Sequence, residues 1–153
     1  MTSKKAPLLK QVRLIVAGGR DFNDATLMRD SIEEFLAELD FNDLEFVLGG
    51  APGADKQAQE LAEEEALPHL VIPAAWYDMT SPCVRRQNSH GEYNALAGMK
   101  RNIKMAEKGT HLIAFWDGKS KGTKDMIDHR RSLHSEQVSY TTSCACLSMI
   151  CKT

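Results

Sequence analysis

No apolar run in this 153-residue chain approaches the roughly 20 residues of a bilayer span. The opening stretch MTSKKAPLLKQ also lacks the apolar segment of a signal peptide. The expectation is a cytoplasmic protein with no membrane partner. A basic excess is missing too: 19 Lys and Arg stand against 21 Asp and Glu, a net charge of -2 at pH 7. Proteins that coat nucleic acid usually show such an excess or a basic stripe, so the balance argues against that class. Cysteine is scarce until the end, with Cys83 alone and then Cys144, Cys146 and Cys151. CAC, then four residues, then a further cysteine fits no familiar zinc template, and no histidine lies among them. Free thiols are the reading, and no metal is assigned. GxGxxG and GxxxxGK[ST] are both absent, which disfavours ordinary dinucleotide dehydrogenases and P-loop NTPases. No cofactor is expected.

What is present alternates in period. VRLIVAG (12–18) is short, rich in β-branched residues and ends in glycine, as a buried strand does. Leu27, Met28, Ile32, Phe35, Leu36 and Leu39 then fall on one helical face, with Asn23 or Asp24 as N-cap. LEFVL (44–48) predicts a second strand. A helix follows from Gly53, with Ala54, Ala58, Leu61 and Ala62 inward. HLVIP (69–73) predicts a third strand, and residues 74–94 are polar and irregular. Leu96, Met99, Ile103 and Ala106 mark a helix closed by Gly109, before THLIAFW (110–116) as the fourth strand. Met126, Ile127, Arg130 and Leu133 suggest a further helix, and QVSYTT (137–142) a fifth strand. SCACLSMICKT shows no clear period.

Strands alternating with helices at this spacing predict an α/β fold: a three-layer, Rossmann-like domain with a mostly parallel sheet of about five strands and helices on both faces. The domain is expected over 1–142, with 143–153 a tail of unknown role. In a parallel sheet the strand C-termini share one edge. AGGRDF (17–22), GGAPGAD (49–55) and FWDGKSKGT (115–123) would then lie on one rim. Sheets of this class bind ligands there, where strand order reverses. For the order 3-2-1-4-5 that point lies between the first and fourth strands.

Such a rim favours anions, because helix N-termini present unpaired N–H groups and glycine lets a phosphate approach. Gly53 and the Gly122-Thr123 pair, each preceding a helix, fit this. Arg20 and Arg101 offer bidentate contacts to phosphate, while Asp21, Asp55 and Asp117 offer acceptors to sugar hydroxyls. Trp76 offers a face for a base. Each has a plainer reading: a packed tryptophan, an arginine in a salt bridge, an aspartate compensating a helix dipole.

IVAGGRDF, GGAPGAD, the tryptophan after the third strand, RNIKMAE (101–107) and LIAFWDGKSKGTKDMI (112–127) together resemble the YspA-type, cpYpsA-related branch of the SLOG superfamily. That superfamily groups the DNA-processing protein DprA (Smf), the LOG phosphoribohydrolases and nucleotide-sensing domains of bacterial conflict systems. The resemblance runs from about Val12 to Val138. It implies a Rossmannoid fold with a nucleotide or nucleotide-derived ligand at the strand C-termini. By position it marks Gly18, Gly19, Arg20, Asp21, Gly49, Gly50, Gly53 and Asp55, then Arg101, Asn102, Asp117, Gly118, Ser120, Gly122 and Thr123. The LOG pattern PGGxGTxxE places a catalytic glutamate where this chain has Met126, which can act as neither acid nor base.

The expectation is a sensor or sequestering protein for a nucleotide or ADP-ribose-like molecule, oligomeric as its relatives commonly are. The alternative is a nucleoside-phosphate N-glycosidase, with Asp21, Arg101 and Asp117 as catalytic candidates. DprA-like binding of single-stranded DNA is the weaker alternative.

Overall fold

The computed structural model describes residues 11–133, together with the backbone of 138–143 and 146–151. The elements are β1 (Gln11–Gly18), α1 (Ala25–Ala37), β2 (Asp43–Leu48), α2 (Ala54–Glu64), β3 (His69–Val71), β4 (Arg85–Asn88), β5 (Gly91–Asn94), α3 (Ala97–Lys108), β6 (His111–Trp116), α4 (Lys121–Leu133), β7 (Val138–Ser143) and β8 (Cys146–Cys151). The main sheet runs β3-β2-β1-β6-β8-β7. Its first four strands are parallel, in the order expected from sequence.

Side chains of a strand alternate between faces, and each sheet face builds its own core. Leu14 and Val16 of β1, Phe46 and Leu48 of β2, and Ile113 and Phe115 of β6 meet α1 and α2 on one side. Ile15, Ala17, Val47, Leu112 and Ala114 meet α3 and α4 on the other. Because both faces are covered, the strands read as continuous apolar runs rather than alternating ones. In α1, Asp24 Oδ1 accepts the Leu27 N–H at 2.9 Å and caps the helix, and Met28, Ile32 and Phe35 are buried. Ala54, Ala58 and Ala62 are fully buried, so α2 lies close on the sheet.

Three sequence expectations change. Residues 74–94 are not all irregular, since β4 and β5 pair antiparallel as a separate two-stranded ribbon. SCACLSMICKT supplies β8, which pairs antiparallel with both β6 and β7 and so stands between the fourth and fifth expected strands. A short apolar run shows no period, which is why β8 escaped notice. In α3 the buried residues are Ala97, Asn102, Met105 and Ala106, while Ile103 is exposed. Helical periodicity cannot foresee that a buried position holds an asparagine with its amide satisfied by neighbours. Cys144 lies outside the described residues, as do the side chains of Cys146 and Cys151, and Cys83 is a free thiol. Among the described residues no helix is long and apolar enough to cross a membrane.

Candidate ligand-binding site

At the C-terminal edge of the parallel strands, β1 and β6 lie side by side while their chain continuations diverge. α1 follows β1 and belongs to the α1/α2 face, whereas α4 follows β6 and belongs to the opposite face. This is the switch point of the sheet, where a crevice opens between the two departing turns. It holds a cleft of about 1130 Å³.

The β1 turn forms one wall. Gly18 abuts α2 so closely that a Cβ there would lie 2.6 Å from the Ala54 Cβ. The Gly19 carbonyl accepts N–H groups from Phe22 and Ala54, both at 3.2 Å, which pins the turn. Arg20 and Asp21 stand exposed at its tip and line the cleft. Neither takes part in a hydrogen bond or ion pair among the described residues.

The β6 turn forms the opposite wall. Asp117 Oδ1 accepts the N–H groups of Lys119 and Ser120, each at 2.8 Å, and this holds its exposed carboxyl below the usual carboxylate range. Ser120 then caps α4, with its Oγ 3.0 Å from Thr123 Oγ1 and 3.4 Å from the Thr123 N–H. Trp116 Nε1 donates to the Ser120 carbonyl at 3.0 Å. The first turn of α4, Lys121 to Thr123, faces the cleft, and a Cβ at Gly122 would meet open space.

From the α3 side come Arg101 and Asn102. The Arg101 guanidinium donates to the Gly49 carbonyl and, through Nε, to Asn102 Oδ1 at 3.1 Å. Asn102 Nδ2 in turn donates to Asp125 Oδ2 at 2.8 Å and to the Gly122 carbonyl at 3.2 Å. Asp55 Oδ2 accepts the Ala51 N–H at 3.1 Å. Burial pushes the Asp55 carboxyl up, against the pull of that hydrogen bond and of Arg101. Burial likewise lowers Arg101, with Asp55 opposing it and Arg20 adding a like charge.

Of the residues expected at the site, Gly18, Gly19, Arg20, Asp21, Asp55, Trp76, Arg101, Asn102, Asp117, Ser120, Gly122 and Thr123 line this single cleft. Gly49, Gly50, Gly53 and Gly118 do not. Gly53 (φ +82°) serves close approach within the protein: a Cβ there would lie 2.4 Å from the carbonyl oxygens of Gly19 and Arg20. Gly49 is covered by the Arg101 guanidinium, 2.6 Å from where its Cβ would stand. The first N–H of α2 is therefore already engaged by Gly19 rather than open to an anion.

Asp125, Lys119 and Lys121 also line the cleft and were not among the expected residues. The lysines follow directly from their place in DGKSKGT. Asp125 lies one helical step, about 100°, from the position of the LOG glutamate. That position, Met126, is only 2 % exposed and sits in the α3/α4 core.

Residues 12–78 match the model of the YspA, cpYpsA-related SLOG family (YAcAr). The chain is similar to that family over this stretch, which is less than half of its length. The match takes in β1 to β3, the turns AGGRDF and GGAPGAD, and Trp76. It ends before α3 and the β6 turn, so their place at the same cleft is a finding of the structure alone. Neither a curated protein nor a solved structure was found to match the chain.

Proposed function

We propose that the cleft binds a nucleotide or nucleotide-derived small molecule, of the ADP-ribose kind, as a sensor or sequestering protein. One observation carries this reading: the β1 turn and the N-terminus of α4 face each other across a cleft of about 1130 Å³ at the switch point of a sheet whose first three strands are similar to the SLOG family. That volume lies just above the usual range of small-molecule pockets, which run to about 1,000 Å³, and leaves room for a ligand of this size. The phosphate end is assigned to Arg20 and the first turn of α4, where the N–H groups of Lys121 and Gly122 and the helix dipole favour negative charge. Asp21 is assigned to ribose hydroxyls and Trp76 to the base.

A nucleotide N-glycosidase is the second reading. It is favoured by the carboxylate of Asp125, which lines the cleft with Asn102 at 2.8 Å and His129 Nε2 at 3.1 Å. Against it, Met126 replaces the LOG glutamate, and Asp117 Oδ1 is engaged by two backbone N–H groups. Equilibrium dialysis against a pool of nucleotides and ADP-ribose, with mass spectrometry of the retained and free fractions, separates the readings. An intact retained compound supports the binding protein. A released base with its sugar phosphate replaces that reading with the glycosidase, and retention of nothing contradicts both.

A further inference from the structure

The β4–β5 ribbon adds nothing to either core, and every residue of β4 is exposed. A two-stranded ribbon is marginal on its own. This one is tied down by Asn94, whose side chain is fully buried. Asn94 Oδ1 accepts the N–H groups of Val84 (3.1 Å) and Leu96 (3.0 Å), and Nδ2 donates to the Asp78 carbonyl at 3.1 Å. Its backbone N–H donates to the Trp76 carbonyl at 2.6 Å. One residue thus joins the ribbon, the start of α3 and the turn that carries Trp76.

The neighbouring Tyr93 meets the Trp76 ring edge-on, with centroids 6.2 Å apart and planes at 73°. On another side, a Cβ at Gly98 would lie 3.6 Å from Trp76 Cη2, so the first turn of α3 supports the indole closely. The ring is half-buried by these supports and still lines the cleft. The indole is thus held between Tyr93 and the first turn of α3.

We infer that the β4–β5 ribbon is a specificity element: Tyr93, as a positioning residue, holds Trp76 as a stacking wall, so that the cleft selects phosphorylated ligands bearing an aromatic base over the same sugar phosphate without one. The inference rests on the nucleotide reading proposed above. Stacking of a base on an aromatic side chain is sequence-tolerant and strong enough to supply about fivefold to a hundredfold of affinity.

Calorimetric titration of the full chain with adenosine monophosphate and with ribose 5-phosphate tests it in wild type, Trp76→Ala, Tyr93→Ala and Tyr93→Phe. Wild type is expected to favour the nucleotide by about fivefold or more. Trp76→Ala brings the ratio near one, Tyr93→Ala lowers it by about threefold through loss of the edge contact, and Tyr93→Phe restores it. Equal wild-type affinity for both probes overturns the inference and leaves the nucleotide reading standing. Equal weakening of both probes by Tyr93→Ala, or an unchanged ratio, also overturns it, since a merely structural residue would act that way. Wild type that binds neither probe overturns this inference, and ADP-ribose titrated alongside decides the nucleotide reading separately.

Discussion

Asn102 donates a side-chain N–H to Asp125 Oδ2 across 2.8 Å, and this bond joins α3 to α4 beside the cleft. Both groups belong to longer chains of contact. Asn102 also receives Arg101 Nε and reaches the Gly122 carbonyl, while Asp125 Oδ1 faces His129. The bond therefore sets the spacing between the two helices that carry Arg101 and the α4 N-terminus. Replacing Asn102 by alanine leaves partners unsatisfied at a buried position. The expected cost is about 1–3 kcal/mol in urea denaturation.

Gly53 and Gly122 answer differently to the same substitution. Gly53→Ala forces a side chain onto two carbonyl oxygens at a φ of +82°, and is expected to destabilise by about 2–5 kcal/mol. Gly122→Ala meets open space at a helix N-terminus, and its stability is expected to stay within about 0.5 kcal/mol of wild type. If Gly122 admits a phosphate, the alanine variant binds ADP-ribose more weakly while its denaturation curve is unchanged.

Asp55 and Asp117 give stability opposite slopes with pH. The folded protein raises Asp55, chiefly by burial, so it holds its proton more tightly than the unfolded chain. Its contribution is full below the ordinary carboxylate range and is lost as pH rises through the folded value. The folded protein lowers Asp117 through backbone hydrogen bonds, so its contribution is present above the ordinary range and is lost as pH falls. Urea midpoints from pH 3 to 8 test this with single Asn variants. Wild type should gain on Asp55→Asn toward low pH and lose against Asp117→Asn there.

Arg20 is exposed at the tip of the β1 turn and free of ion pairs among the described residues. Arg20→Ala is expected to leave stability within about 0.5 kcal/mol. Loss of a charged hydrogen bond to phosphate should weaken ADP-ribose by about tenfold to a hundredfold, measured by calorimetry. An unchanged affinity would move the phosphate away from this turn.

The parallel strands and the cleft were legible because both leave strong local marks. β1, β2 and β6 are apolar runs closed by turn residues, and once a parallel sheet is inferred their C-termini must share an edge. The β4–β5 ribbon was hidden because RRQN and GEYN are polar and lack the apolar alternation that marks a half-buried strand. The glycines of GGAPGAD were legible as sites of close approach, but not as to what approaches: Gly19 and Arg20 at Gly53, and Arg101 at Gly49. Asn102 and Asp125 meet across different helices, a pairing that no local spacing encodes.

The central claim is that a nucleotide-derived ligand occupies the crevice between β1 and β6, and amide chemical-shift mapping with ADP-ribose tests it most directly. Shifts are expected to concentrate in residues 18–21, around Trp76 and in residues 120–123, and to saturate with ligand. Saturable shifts at the opposite edge of the sheet, or none at millimolar ligand, would contradict it.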